Sequence, residues 1–213
     1  MKRPTPRKFS PAPHTFDEAY YRRFYIDPKT RVRGSTGQAR LAHFVFGYLG
    51  HLGLPVKRVL DLGCGLGQWK KELAKHHARA SYQGVEFSLY LCEKFGWAQG
   101  SVVEYTGKGQ FDLVICQSVF QYLDDKQAVA GIKNLAKHCR GAVYLEIITK
   151  LDWHKHCNRD MTDGNIFLRE GDWYKSHLDK YFRNAGGGLF LPKKSPTVLY
   201  ELEGSNSSSY SWR

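Results

Sequence analysis

Val59-Leu-Asp-Leu-Gly-Cys-Gly-Leu-Gly67 sets four residues of strand character ahead of a loop with three glycines in five positions. Arg58 to Leu62 reads as a short apolar strand, and Gln68 to His77 resumes helical spacing through Trp69 and Leu73. A strand that ends in glycines and opens a helix lets the backbone come close to a ligand, because no Cβ atoms stand in the way. The loop also offers free amide donors at the helix start.

Working outward, the same alternation continues on both sides. Upstream, Leu41, Phe44, Val45, Tyr48 and Leu49 follow helical spacing, with Gly50 and Pro55 as a stop. Downstream, Tyr82 to Phe87 is a strand, Ser88 a cap, and Leu89 to Phe95 a short helix closed by Gly96. Phe111 to Cys116 is a strand, and Asp125 to His138 a helix expected to bury Val129, Ile132 and Leu135. Ala142 to Ile148 is a near-continuous apolar run, the pattern of a parallel strand covered on both faces. Strands alternating with helices specify an α/β doubly wound fold.

The last third changes character. Leu151 to Gly171 is polar and aromatic with little period, and Asp172 then caps a helix carrying Trp173, His177, Leu178, Tyr181 and Phe182 that Gly186-Gly-Gly188 ends. Leu189 to Leu191 and Val198 to Leu202, joined across Pro192 to Pro196, read as a terminal hairpin that adds an antiparallel edge. Residues 1–15, with Lys2, Arg3, Arg7 and Lys8 among four prolines, read as a flexible basic arm, and 204–213 as a flexible polar tail. Between them 16–203 is expected as one domain, with 16–37 as a lid, 38–150 as the ligand-binding core and 151–203 as a further segment and hairpin.

A chain of 213 residues with 42% apolar and 14% aromatic residues can bury one full core. Its formal charge of +12 gives a field that attracts anions, so a nucleic acid, a phosphorylated metabolite or an acidic lipid surface is compatible with it, and charge alone names no substrate. Five cysteines without repeated spacing argue for reduced thiols and a cytoplasmic protein. The basic N-terminus lacks the apolar run of a secretory signal, and no apolar stretch approaches the roughly 20 residues of a membrane span.

Glu86 lies 19 positions beyond Gly67, at the end of the next strand. There a Rossmann-type unit places the carboxylate that accepts hydrogen bonds from ribose hydroxyls. A nicotinamide dehydrogenase would need its third glycine three residues after the second, whereas Gly67 is two after Gly65. Asp61 at the strand end is unfavourable beside a pyrophosphate and favourable beside a cation.

Together these stretches resemble the class I S-adenosylmethionine-dependent methyltransferases. Residues 59–67 are similar to that family's first motif, Gly84-Val-Glu-Phe-Ser88 to its second-strand motif, and Phe111 to Leu123 to its fourth strand and following loop. The resemblance covers residues 38–148 and names no subfamily. It implies a Rossmann-like, mostly parallel seven-stranded sheet with an antiparallel C-terminal hairpin strand, and S-adenosyl-L-methionine as cofactor. It further implies that Asp61 with the Gly63, Cys64, Gly65 and Gly67 loop holds the methionine end, Glu86 the ribose and Phe87 one face of the adenine. Ser101 and Val102 would read the adenine edge, where the family often has an acid that is absent here, and Gln117 would lie beside the sulfonium.

Methyl transfer from a sulfonium is an in-line displacement whose main demand is alignment, with a base needed only if the acceptor must lose a proton. Candidates cluster past the fifth strand: Glu146, Asp152 and His154, with His156 beside them. The spacing of His154, His156, Cys157 and Cys139 matches no usual zinc pattern, and no metal is expected. Aromatic residues gather at 16–25 and again at Trp153, Phe167, Trp173 and Tyr174, placed to cover a pocket, and Arg22, Arg23, Lys29, Arg31 and Arg33 among them suit an anionic acceptor. The expected function is methyl transfer to an acceptor, a small molecule favoured. The alternatives are an RNA methyltransferase and a non-catalytic nucleic-acid-binding protein on the same fold.

Overall fold

The computed structural model describes residues 15–204. All of the expected basic arm but Thr15, and the tail beyond Gly204, lie outside the described residues. Five strands run parallel: β1 (Arg58–Leu62), β2 (Ser81–Glu86), β3 (Ala98–Gln99), β4 (Phe111–Gln117) and β5 (Cys139–Glu146). Two more, β6 (Phe182–Gly186) and β7 (Leu189–Pro192), join antiparallel beside β5, and the order across the sheet is β3-β2-β1-β4-β5-β7-β6. This is the Rossmann-like sheet with an antiparallel edge that the alternation implies.

Both faces of the sheet are buried, and the period of two along each strand divides them. Leu60, Leu62, Val114, Cys116, Val143 and Leu145 share one core with Ile132 and Leu135 of α5 (Asp125–His138) and Leu178 of α7 (Gly171–Leu178). Val59, Leu113, Ile115, Ala142 and Tyr144 share the other with Val45 and Leu49 of α2 (Ser35–His51) and Trp69 and Leu73 of α3 (Gln68–His76). The helix ends follow local chemistry. Ser88 caps α4 (Leu89–Phe95) by accepting from the Leu91 amide, Gly96 closes it at φ 69°, and Asp124 with Gln127 forms a capping box on α5. In α5, Val129 stays exposed, while Ala128 and Gly131 face inward. Gly131 does so because the Phe120 ring lies 3.1 Å from where its Cβ would stand.

The last third departs from its sequence reading. The helix expected from Asp172 to Phe182 stops at Leu178, and Phe182–Gly186 is a strand. Gly186, Gly187 and Gly188 all have positive φ (82°, 57° and 80°) and form the turn into β7, so the hairpin pairs Phe182–Gly186 with Leu189–Pro192. Val198–Leu202 forms no strand. The apolar spacing of Trp173, His177, Leu178, Tyr181 and Phe182 imitates a helix past its true end, and a glycine triplet serves a hairpin as readily as a helix stop. Within 151–171, Lys150–Lys155 forms a short helix, α6, held by a capping box between Thr149 and Asp152.

Strands β1, β2, β4 and β5 end at one edge, in Leu62, Glu86, Gln117 and Glu146, with Gln117 level with Glu146. In open parallel sheets the crevice outside those carboxyl ends is where ligands bind. Across it folds the N-terminal segment: α1 (Glu18–Tyr21), capped by Asp17, runs directly into a π-helical turn over Arg22–Ile26.

Candidate active site

The glycine loop gives the crevice its floor. Gly63, Gly65 and Gly67 have φ of 85°, 52° and 70°, the left-handed region that other residues adopt at a cost. At Gly63 a Cβ would lie 2.3 Å from Cγ2 of Val119, and at Gly67 it would lie 2.8 Å from the Trp97 indole. At Gly65 it would meet nothing, so that backbone faces open space. Gly67 therefore packs loop against neighbour, while Gly63 and Gly65 line a cavity of about 370 Å³.

Two buried carboxylates stand beside this loop. Glu86 is 4% exposed and accepts the amides of Gly65 (2.7 Å), Phe87 (2.9 Å) and Ser88 (2.9 Å), with the Tyr21 hydroxyl at 3.4 Å. Burial pushes its carboxyl up and those bonds oppose the push. Asp61 is 1% exposed and pushed up to about 7, chiefly by burial and further by Glu86, against the 2.6 Å bond from the Tyr82 hydroxyl. A buried Asp61 raised by burial and by Glu86 would be relieved by a cationic ligand, and the open backbone at Gly65 leaves room for one. The residues thus fit a sulfonium nucleoside. Cys64 is buried and its thiol pushed up, so it packs as a small apolar group.

The N-terminal segment forms the roof. Phe16, Tyr20, Tyr21, Phe24 and Tyr25 line the cavity, and Phe16 and Tyr20 meet Tyr122 edge-on or by a 2.8 Å hydroxyl contact. The Phe16 carbonyl accepts from Ser88 Oγ at 2.5 Å, which ties the roof to the cap of α4. Burial pushes the Tyr20 and Tyr21 phenols up, and Tyr25 up to about 12, so these three rings are uncharged at neutral pH.

At the β4 and β5 ends the polar groups form a chain. Trp69 Nε1 donates to Gln117 (2.8 Å), and the Gln117 amide donates to Glu146 (3.2 Å). Glu146 also accepts from Ser118 Oγ (3.3 Å), Tyr144 Oη (3.0 Å) and Arg33 Nη2 (2.9 Å). Ser118 sits at φ 57°, a left-handed conformation on a non-glycine residue that costs on the order of 1 kcal/mol and aims the chain across the strand ends.

The structure brings Gly63, Cys64, Gly65, Glu86, Phe87, Ser101, Val102, Gln117 and Glu146 into one cavity wall. Asp61 lies behind the wall on Tyr82, and Gly67 lies under Trp97. Asp152 is spent on the Thr149 capping box, accepting at 3.0 and 2.6 Å. His154 is exposed beside Arg159 and outside the cavity. The cavity also recruits Gln38, Gln121, Tyr122 and Asp163, which carry no motif. Only tertiary packing gathers them, and Gln121 and Tyr122, inside the 111–123 stretch, are the two that sequence could have marked.

A methyltransferase-domain family profile matches residues 59–141. Residues 59–141 form a methyltransferase domain. That match agrees with the resemblance of residues 59–67, 84–88 and 111–123 to the class I S-adenosylmethionine-dependent methyltransferases. The chain is 28% identical over 156 residues to a trans-aconitate 2-methyltransferase of Deinococcus radiodurans, across 70% of this chain. It spans 57% of that relative's length. Its fold is similar to that of magnesium protoporphyrin IX methyltransferase from Synechocystis PCC 6803 solved with S-adenosylhomocysteine (TM-score 0.57, 21% identity, 80% of this chain and 87% of that one). It is likewise similar to an amino pentose methyltransferase from Micromonospora echinaspora solved with the donor (TM-score 0.55, 14% identity, 76% and 92%). No helix among the described residues is long and apolar enough to cross a membrane.

Proposed function

We propose that the protein transfers the methyl group of S-adenosylmethionine to a small-molecule acceptor held beneath the aromatic roof. The observation that carries this reading is the meeting, in one cavity, of the Gly63 to Gly65 backbone and Glu86 with the ring wall of residues 16–25. When bound, the donor supplies an electrophilic methyl on a sulfonium, so the protein's own task is to bind, align and keep water out.

The named residues divide that work. Glu86 is the carboxylate for the ribose hydroxyls, Phe87 the adenine neighbour, and Ser101 and Val102 the edge of the adenine site. Asp61 acts from behind the wall through its charge, and Gln117 faces the sulfonium end. The roof rings exclude water and favour a cation by their faces. Glu146, already accepting from four donors, orients Arg33 and Gln117 and is a poor general base. The cavity of about 370 Å³ suits a small acceptor, and a relative named as a trans-aconitate 2-methyltransferase supports the same class.

Calorimetric titration with S-adenosylhomocysteine tests the donor half. Binding in the micromolar range, weakened at least tenfold in Glu86→Gln, is expected, and no heat at high micromolar ligand sinks the reading. Incubation with S-adenosylmethionine and trans-aconitate, followed by mass spectrometry for a methyl ester, tests one acceptor of the proposed class.

A further inference from the structure

Among the described residues, five charged side chains line the cavity, and four of them are acids: Glu86, Glu104, Glu146 and Asp163 against Arg33. The other basic residues that the sequence sets among the N-terminal rings, Arg22, Arg23, Lys29 and Arg31, stay outside the cavity, and Glu146 holds Arg33 at 2.9 Å. Glu86 is satisfied by three amides at the donor loop. Asp163 forms no ion pair among the described residues and accepts from the Asn165 amide (2.9 Å). Its charge reaches the Tyr20, Tyr25 and Tyr122 phenols, which burial first and then their neighbours push up, so the carboxylate stands at the ring end of the cavity. Beside Tyr122, Gln121 is 2% exposed. Its Oε1 is one of three buried atoms on the cavity wall with no hydrogen-bond partner among the described residues, and the one acceptor, the others being Arg33 Nη1 and Gln38 Nε2. Buried polar atoms are rarely left unpaired, because the water they lose is not replaced. The Phe167 amide donates to the Gln121 carbonyl at 2.7 Å, which holds the segment after Asp163 against the turn that carries Gln121.

We infer that Asp163, Gln121 and the Tyr20, Tyr25 and Tyr122 rings form an ammonium-binding subsite, so that the methyl acceptor is an amine-bearing small molecule. The inference rests on the methyl-transfer reading above and names the chemical class of its acceptor. An ammonium group carries only donors: one N–H meets the Asp163 carboxylate, another the unpaired Gln121 Oε1. Phenols kept neutral by burial add cation–π attraction. A carboxylate in the same place would meet a like charge and an acceptor with nothing to accept. Four acids against one cation also leave negative charge for a second cation beside the sulfonium. While protonated, the nitrogen has no lone pair with which to attack the methyl, so the subsite is a handle that positions the acceptor.

Three probes that share a phenyl ring and differ in their end group test the subsite: phenethylamine with an ammonium, hydrocinnamate with a carboxylate and phenethyl alcohol with neither. Each is titrated, with thermal shift as the readout, into the full chain saturated with S-adenosylhomocysteine, and into Asp163→Asn and Gln121→Met in the same state. Wild type is expected to bind phenethylamine at least tenfold more tightly than phenethyl alcohol, and hydrocinnamate more weakly than either. Asp163→Asn should erase the preference for the amine and Gln121→Met should reduce it at least threefold. Phenethyl alcohol should bind both variants as it binds wild type, which shows that the pocket is intact. Hydrocinnamate bound as tightly as phenethylamine, no binding of any probe, or an amine preference that survives both substitutions overturns the subsite. So does an equal loss for all three probes in the variants, because the two residues then shape the pocket without reading charge. In each of those cases binding of S-adenosylhomocysteine to wild type leaves the donor reading intact. Wild type that binds no S-adenosylhomocysteine removes the donor reading, and this subsite with it.

Discussion

The floor and the roof of the cavity are built in opposite ways. The floor comes from two consecutive β–α units: the Gly63 to Gly67 loop and Glu86 lie within 24 positions of one another, and backbone amides satisfy the acid. The roof is drawn from four separated stretches, near residues 16–38, 117–123, 146–148 and 162–163, and it leaves three buried polar atoms unpaired. A floor made of backbone fits what every member of the domain family must bind. A roof made of side chains is where one member can differ from another.

The comparison is broken most severely at Gly63. Gly63→Ala places a Cβ at φ 85° and 2.3 Å from Val119, which sits on the stretch that leads into the roof. Backbone strain and overpacking together are expected to cost up to about 5 kcal/mol. The melting temperature should fall and S-adenosylhomocysteine binding should vanish in calorimetry. A variant that binds as wild type does would mean that the loop moves freely and is no rigid floor.

That asymmetry also explains what could be read in advance. The floor was legible because each of its residues does its work within a few positions: strand, glycine turn, helix start, then an acid at the next strand end. Glu146 was legible as a strand-end acid, but its use was not, since Arg33 reaches it from 113 positions away. Asp152 looked like a free loop acid and is a helix cap. The hairpin was misplaced for the same reason: β6 is defined by pairing with β7, and that pairing outweighs a helical apolar spacing running on to Phe182.

Asp61 tests the electrostatics of the floor. Its carboxyl rises from 3.8 in the free residue to about 7 in the fold, so between those values the folded state holds a proton that the unfolded chain has lost. Stability from this group therefore falls as pH rises from about 4 to 7 and is level above. Asp61→Asn keeps a partner for Tyr82 and removes the charge, and it is expected to gain up to about 4 kcal/mol at pH 8 and much less at pH 5. Denaturant melts at the two pH values measure the difference. If the same variant also binds S-adenosylhomocysteine more weakly at pH 8, the buried charge is there for the ligand at the expense of the fold. A gain in stability with affinity unchanged would reduce Asp61 to a packing residue.

The roof has its own keystone in Arg169, with a side chain 6% exposed. Its guanidinium donates to the Leu123 carbonyl (2.6 Å), Tyr174 Oη (2.9 Å) and Asp125 Oδ1 (2.8 Å), and lies 4.8 Å over the Trp173 ring. Nearby, the Phe167 amide donates to the Gln121 carbonyl at 2.7 Å, so this segment fixes the turn that carries Gln121 and Tyr122 into the cavity. Arg169→Met keeps an apolar stem and strands the Leu123 carbonyl and the Tyr174 hydroxyl, at a cost of about 3 kcal/mol. Because the floor is satisfied by its own backbone, the loss should be confined to the roof. Hydrogen exchange is expected to quicken at Phe167 and Tyr122 while the Gly63, Cys64 and Gly67 amides keep their protection. Equal loosening of both would mean that the two regions open as one unit, and that acceptor-side changes in this fold cannot be made without disturbing the donor site.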